Sequence, residues 1–193
     1  MKKRWIITAV LAVCLAFSLS AGVAYAYLTD KNTIKNEFTA GINETKLMED
    51  FDPVPLVVGD NIYKKEVWVR NVGTMPCFVR LFLGFSDPTI KDITQFSGAD
   101  GVFFPFKQYK DHLPEGWIYD ETTDYFYYTK PLQPGEDTTK VIEKVKTTFA
   151  AKEDVREYDL IVLEESIDTL ALDGSAFAGA DAYKKAWDEY LTR

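Results

Sequence analysis

The chain has 193 residues, with 22 Lys and Arg against 30 Asp and Glu, for a formal net charge of −8. That balance repels nucleic acid and anionic membrane surfaces, so it argues against a protein that reads either by charge. The length suits a single well-buried domain, and two cysteines are too few for a disulfide framework.

Met1-Lys2-Lys3-Arg4 precedes an uncharged run of 24 residues, Trp5 to Leu28, that contains Ala24-Tyr25-Ala26. A basic start, an apolar stretch and a small-x-small site predict a secretory signal peptide over residues 1–26, cut after Ala26. The run is also long enough to span a bilayer, so a retained signal anchor is the alternative. Ser18, Ser20 and Gly22 near the site favour cleavage. Cys14 is a poor lipoprotein site because Val13 before it is large. Loss of residues 1–26 removes three basic residues and no acidic one, taking the net charge to −11. It also leaves Cys77 as the sole cysteine, in the apolar stretch Pro76-Cys77-Phe78-Val79, where it reads as a buried small hydrophobe. The expected location is outside the cell, in the extracellular matrix or on the surface, with the membrane met only through the uncleaved signal.

The new N-terminus would be Tyr27-Leu28-Thr29-Asp30. Residues 27–41 are polar, yet Ile34, Phe38, Ala40 and Ile42 fall on one strand face. A segment of this kind pairs with a sheet edge, either as the first strand of its own domain or in a neighbouring subunit. The second arrangement is head-to-tail and builds an open filament.

Residues 42–193 form the predicted domain. Ile62 to Arg70 reads as a strand and Asn71 to Thr74 as a turn. Cys77 to Phe85 is the clearest strand, with Cys77, Val79, Leu81, Leu83 and Phe85 on one face and Phe78, Arg80 and Phe82 on the other. Two apolar faces place it centrally. Ser86 to Gly101 reads as loop with a helical turn near Ile90 to Phe96, and Val102 to Tyr109 as a strand interrupted by Pro105. Trp117 to Tyr119 and Tyr125 to Thr129 form a hairpin around Asp120 to Asp124. Leu132-Gln133-Pro134-Gly135-Glu136 has Pro and Gly where a type II turn needs them. Thr138 to Phe149 and Tyr158 to Ser166 are two further strands. Ser175 is the predicted cap of a helix to about Leu191, with Phe177, Ala180, Tyr183, Trp187 and Leu191 as its apolar stripe. Many short strands with regular turns predict an all-β antiparallel sandwich with short helices and this C-terminal helix.

Catalytic signals are scarce, and the expectation is a chain that is not an enzyme, with no catalytic, cofactor-binding or metal-ligating residues. His112 is the only histidine, and no HExxH, GxSxG or Walker pattern occurs. A Cys77–His112 dyad conflicts with Cys77 in a core strand. Glu49-Asp50-Phe51-Asp52 and Asp120-Glu121-Thr122-Thr123-Asp124 lack the spacing and glycine of an EF-hand and read as solvated turns. Glu164-Glu165 reads as exposed strand positions.

Ala24-Tyr25-Ala26-Tyr27-Leu28-Thr29-Asp30 with Asn36-Glu37-Phe38-Thr39-Ala40-Gly41 resembles the camelysin/TasA family of exported proteins of Gram-positive bacteria. Val69-Arg70-Asn71-Val72-Gly73 with Val79-Arg80 is similar to that family's N-x-G turn and following strand. Tyr125 to Glu136 is similar to an aromatic strand followed by Leu-x-Pro-Gly-Glu in related exported proteins. The resemblance implies a jelly-roll-like sandwich, cleavage by a SipW-type signal peptidase and assembly into biofilm-matrix or surface fibres by donor-strand exchange. Partners are then copies of the chain or related fibre subunits. Tyr27 to about Phe38 would be the donated strand, including Leu28, Thr29, Asp30 and Ile34. The chain departs from the family in lacking a long lysine-rich insertion, and its C-terminal helix has no clear counterpart. A monomeric adhesin or envelope-associated module using Tyr125 to Tyr128 is the alternative. A camelysin-like metallopeptidase is the third reading, which a lone His112 does not support.

Overall fold

The computed structural model describes residues 41–192. In chain order the strands are β1 (Thr45–Asp52), β2 (Gly59–Asn71), β3 (Cys77–Phe85), β4 (Thr94–Ser97), β5 (Phe104–Pro105), β6 (Trp117–Asp120), β7 (Tyr125–Leu132), β8 (Ile142–Phe149) and β9 (Leu160–Asp168). Helices α1 (Pro88–Lys91), α2 (Phe106–Tyr109) and α3 (Ala182–Leu191) are short. Among the described residues none is long and apolar enough to cross a membrane.

One sheet has the order β1-β2-β8-β4-β5 and the other β6-β7-β3-β9, and every ladder is antiparallel. The strands form because apolar residues alternate. Val67 and Val69 of β2, Ile142 and Val145 of β8 and Phe96 of β4 point inward from the first sheet. Cys77, Val79, Leu81 and Leu83 of β3, Phe126 and Tyr128 of β7 and Trp117 of β6 meet them from the second. The outward side chains of β3 and β7 belong to a separate cluster, Phe78 and Tyr127, which packs under α3 with Ile167, Ala186 and Trp187. Both faces of β3 are therefore buried, as its sequence predicts, and it lies between β7 and β9. The all-β sandwich is the observed fold.

Arg80, on the outer face of β3, pins α3 down. Its guanidinium lies 4.0 Å from the Tyr125 ring centroid and 4.0 Å from that of Trp187. Its Nε and Nη2 donate to Glu165 Oε2 at 2.7 and 2.5 Å. A cation desolvated between two aromatic rings contributes up to about 2 kcal/mol, and the carboxylate partner removes the cost of burying it alone.

Several elements differ from the sequence expectation. Glu49-Asp50-Phe51-Asp52 is the end of strand β1 rather than a solvated turn. Its acids pair with the neighbouring strand, Asp50 with Lys64 at 2.5 Å and Glu49 with Lys65 at 2.8 Å. Residues 102–109 give only a two-residue strand and the helical turn α2, because Pro105 has no N–H for a ladder. The helical turn expected near residues 90–96 is α1, capped by Asp87, and Thr94–Ser97 pair as strand β4 with β8. The C-terminal helix starts at Ala182, not at Ser175. Gly174 and Gly179 have φ of 82° and 94°, which no right-handed helix contains. Ser175 instead donates to Asp173 Oδ1 from its backbone N–H and its hydroxyl. Phe177 reaches the helix-side cluster from this loop.

The two turn motifs of the sequence interlock at Asn71, which is fully buried. Its Nδ2 donates to Met75 O and Leu132 O, both at 2.8 Å, and its Oδ1 accepts from Gly73 N at 2.9 Å. Its backbone N–H donates to Glu136 O and its carbonyl accepts from Gly135 N. Gly135 has φ of 81° and Glu136 N donates to Gln133 O, as a type II turn requires. Replacing Asn71 by Ala removes three side-chain hydrogen bonds from a buried site, and is expected to cost about 2–4 kcal/mol. Urea unfolding of Asn71→Ala against exposed Val72→Ala, expected within about 0.5 kcal/mol of the unaltered chain, measures this; equal losses would refute the role assigned to Asn71.

Candidate functional site

The sandwich is closed unevenly. On one side the edge strands are β5, two residues, and β6, four residues, and Phe106 beside β5 touches Tyr119 of β6 edge-on. On the other side the edges are β1, eight residues, and β9, nine residues. Neither has a second strand partner among the described residues. Strands of this length present a row of unpaired backbone donors and acceptors, a template for another strand. They lie against each other: the Thr45 hydroxyl donates to Glu164, and Ser166 Oγ donates to Asn43 Oδ1 at 3.3 Å.

The two edges differ in chemistry. β1 carries Glu49, Asp50 and Asp52, and Glu49 draws the nearly buried Lys65 to the rim, where its Nζ sits 5.1 Å from the Phe51 ring centroid. β9 carries Leu160 and Val162 toward the core and Ile161 and Leu163 outward, the last two 42% and 53% exposed. The helix α3 covers Ile167 at the end of β9 and leaves these two uncovered.

At one end of this rim the Pro53–Leu56 loop and the Val155–Asp159 segment enclose a groove of about 600 Å³, walled by Phe51, Val54, Leu56, Tyr63 and Tyr158. Its floor is set by a chain of hydroxyls, Tyr63 to Tyr158 at 2.5 Å and Tyr158 to Thr147 at 2.5 Å. Burial, with the Tyr158 bond next, pushes the Tyr63 phenol well above its ordinary pKa, so it stays neutral and bonded.

At the other end, residues 42–44 are clamped to the Asn71–Thr74 turn. Val72 N and Gly73 N donate to Glu44 O, and Thr74 N donates to Ile42 O at 2.8 Å. Thr74 Oγ1 accepts from Ile42 N at 2.9 Å. Gly73 is required here: a Cβ would stand 2.2 Å from Ile42 O and 2.7 Å from Glu44 N, both backbone. A Cβ on Gly41 would strike Met75 Sδ. The chain thus crosses the end of the sandwich over Thr74–Met75 before it starts β1.

The cleavage residues Ala24, Ala26 and Tyr27 and the donor residues Leu28, Thr29, Asp30, Ile34 and Phe38 lie outside the described residues. The remaining sequence candidates are not brought together. Cys77 is buried, its thiol 3.9 Å from Leu132 O. His112 stacks flat on Phe104, centroids 3.9 Å apart and planes 7° off parallel. Asp120 and Asp124 serve their own turn, accepting from Thr122 N and from the Tyr119 hydroxyl. Glu164 and Glu165 point to opposite faces, one to Thr45 and one to Arg80. The aromatic strand is spent on packing, with Phe126 and Tyr128 in the core and Tyr127 under α3. Sequence reasoning missed β1, Lys65 and the groove. The one available signal was the Glu49-Asp50 pair answered by Lys64-Lys65.

A family model described as camelysin metallo-endopeptidase matches residues 1–94. The match bears out the camelysin/TasA resemblance and spans the clamp, β1, β2 and β3. No curated protein and no solved structure matches. Among the described residues no three His, Cys, Asp or Glu side chains are grouped to hold a metal ion. A catalytic zinc needs three such ligands, so the described residues do not fit the metal that the family description implies.

Burial, ahead of the repulsion from Glu164 and Asp168, pushes the Cys77 thiol from 9.0 up to about 12. The folded chain keeps a proton that the unfolded chain loses, so the associated stability is full below about pH 9 and lost as the pH climbs from 9 toward 12. Labelling of Cys77 by a thiol reagent at pH 8 is expected to be at least about 100-fold slower in the folded protein than in 6 M urea; equal rates would contradict the buried thiol.

Proposed function

We propose that this chain, similar over its first half to the camelysin/TasA family, is a secreted, non-enzymatic structural subunit of an extracellular biofilm-matrix or surface fibre. A SipW-type signal peptidase cuts after Ala26, and the freed segment from Tyr27 to about Phe38 of one copy adds as a strand to the next. The observation that carries this reading is the open side of the sandwich, where two long edge strands lie together beside the point at which the N-terminal chain joins the domain. Each subunit then has one segment to give and one edge to receive it, a heterologous contact that does not close. Backbone hydrogen bonds along the edge supply the affinity, and Ile34 and Phe38 supply the side-chain fit.

Supporting the structural role, Cys77 and His112 are each held by packing and contact different partners. The monomeric-module alternative loses its platform, since Tyr125 to Tyr128 are engaged within the fold.

Deletion of residues 27–38 from the mature chain is expected to abolish fibres seen by electron microscopy while leaving the thermal midpoint within about 2 °C. Fibres of ordinary length from the deleted chain would sink the mechanism. His112→Ala is expected to leave assembly unchanged; a chelator-sensitive peptidase activity lost in that variant would restore the enzymatic reading.

A further inference from the structure

The two edges of the rim are not equivalent acceptors, and the position of the groove sets a direction. We infer that the incoming segment of a second copy pairs antiparallel with the free edge of β9 and seats Phe38 in the groove between the Pro53–Leu56 loop and the Val155–Asp159 segment. This rests on the fibre reading above.

The chemistry of the edges selects β9. Edge strands avoid pairing when they carry charges, above all charges that point inward. β1 carries its acids at the groove end, Glu49 paired with Lys65 and Asp50 with Lys64, with Asp52 beside them. β9 keeps its acids, Glu164, Glu165 and Asp168, in the half nearer the clamp, and toward the groove it offers Leu160, Ile161, Val162 and Leu163 in succession, half-buried or exposed, with no strand outside them among the described residues.

The direction follows from the poles. Asn43 touches Ser166, Thr45 touches Glu164, and Tyr63 touches Tyr158. The clamp therefore marks the pole where β9 ends, and the groove marks the pole where β9 begins. In a head-to-tail stack the clamp of one copy abuts the groove of the next. Phe38 precedes the clamped residues by only a few positions, so it reaches the neighbour's groove first. The residues back to Tyr27 then run toward the neighbour's clamp. That course is antiparallel to β9 and parallel to β1, and antiparallel pairing is the more stable of the two.

Length agrees with this course. Fourteen residues, 27–40, span at most about 46–50 Å when fully extended. The nine residues of β9 span about 30 Å, which leaves several residues to cross between copies. Ile34 lies about 13 Å from Phe38 along a strand and falls over the β9 edge when Phe38 fills the groove, whose walls at Phe51, Val54, Leu56, Tyr63 and Tyr158 suit a phenyl ring.

The test uses the mature chain with pairs of cysteines. Asn36→Cys with Val54→Cys is expected to give a disulfide-linked ladder on oxidation of fibres, and Leu28→Cys with Val54→Cys is expected to give none. The reverse pattern, or fibres with neither ladder, overturns the inference. Val54 is a surface residue, and Val54→Asp is expected to raise the concentration needed for assembly at least tenfold at an unchanged thermal midpoint; unaltered assembly overturns the groove. Fibres that survive deletion of residues 27–38 overturn the fibre reading itself. Fibres that vanish on that deletion but ignore Val54 overturn only the placement proposed here.

Discussion

Asn71 closes the end of β2 with its backbone and its side-chain amide together. Through five hydrogen bonds it ties the first sheet to the last residue of β7 in the second, to the Pro134-Gly135 turn, to its own turn at Gly73 and to Met75 just ahead of β3. The turn it shapes presents the N–H groups of Val72, Gly73 and Thr74 to residues 42–44. One buried amide thus joins the two sheets at one end and aims the N-terminal chain across that end. Few alternatives would do: an amide side chain donates twice and accepts at once, and Gly73 leaves room for the crossing backbone.

That constraint places the N-terminal chain beside the open side of the sandwich. A sandwich of this size is stable through its core, and its edges are normally shortened or charged. Here the far side follows that rule with β5 and β6. The side next to the clamp does so only in part, with acids and Lys65 at β1 and an apolar run at β9. The outer face beyond β9 repeats the pattern. Arg80, held between Tyr125 and Trp187, fastens α3 over Phe78 and Ile167, and the helix stops short of Leu163 and Ile161. The helix thus covers one end of that face, including Ile167 of β9, and leaves Ile161 and Leu163 at the other end exposed.

Among the described residues no side chains are grouped as the metal implied by the matching family's description would need. His112 stacks on Phe104, and the described acidic residues with side-chain partners are distributed among local turns, cross-strand pairs and Arg80. Those carboxylates have partners that differ from one to the next, and they do not converge.

Much of the fold was legible in the sequence, wherever a residue's role depends on its near neighbours. The period of two in Cys77 to Phe85 named a central strand with two buried faces. Pro134-Gly135 named its turn, because only certain residues take those dihedrals. The basic start, apolar run and Ala-Tyr-Ala site are local patterns of the same kind, and the export they predict belongs to the proposed function. The C-terminal helix was misplaced at its start because Gly174 and Gly179 adopt positive φ only in the folded loop. β1 stayed hidden because an edge strand is solvated and its acids have no visible period; their meaning depends on Lys64 and Lys65, brought opposite by the β1–β2 ladder. The separation of Glu164 from Glu165, the stacking of His112 and the closeness of β1 to β9 arise from pairings more than a hundred residues apart in some cases. By itself the sequence determined most of the strands and the turns, since those follow from the conformations and contacts of adjacent residues. Only the tertiary structure decided which edges remain free and where the clamp and the groove fall, because an unpaired edge is defined by what the rest of the chain leaves uncovered.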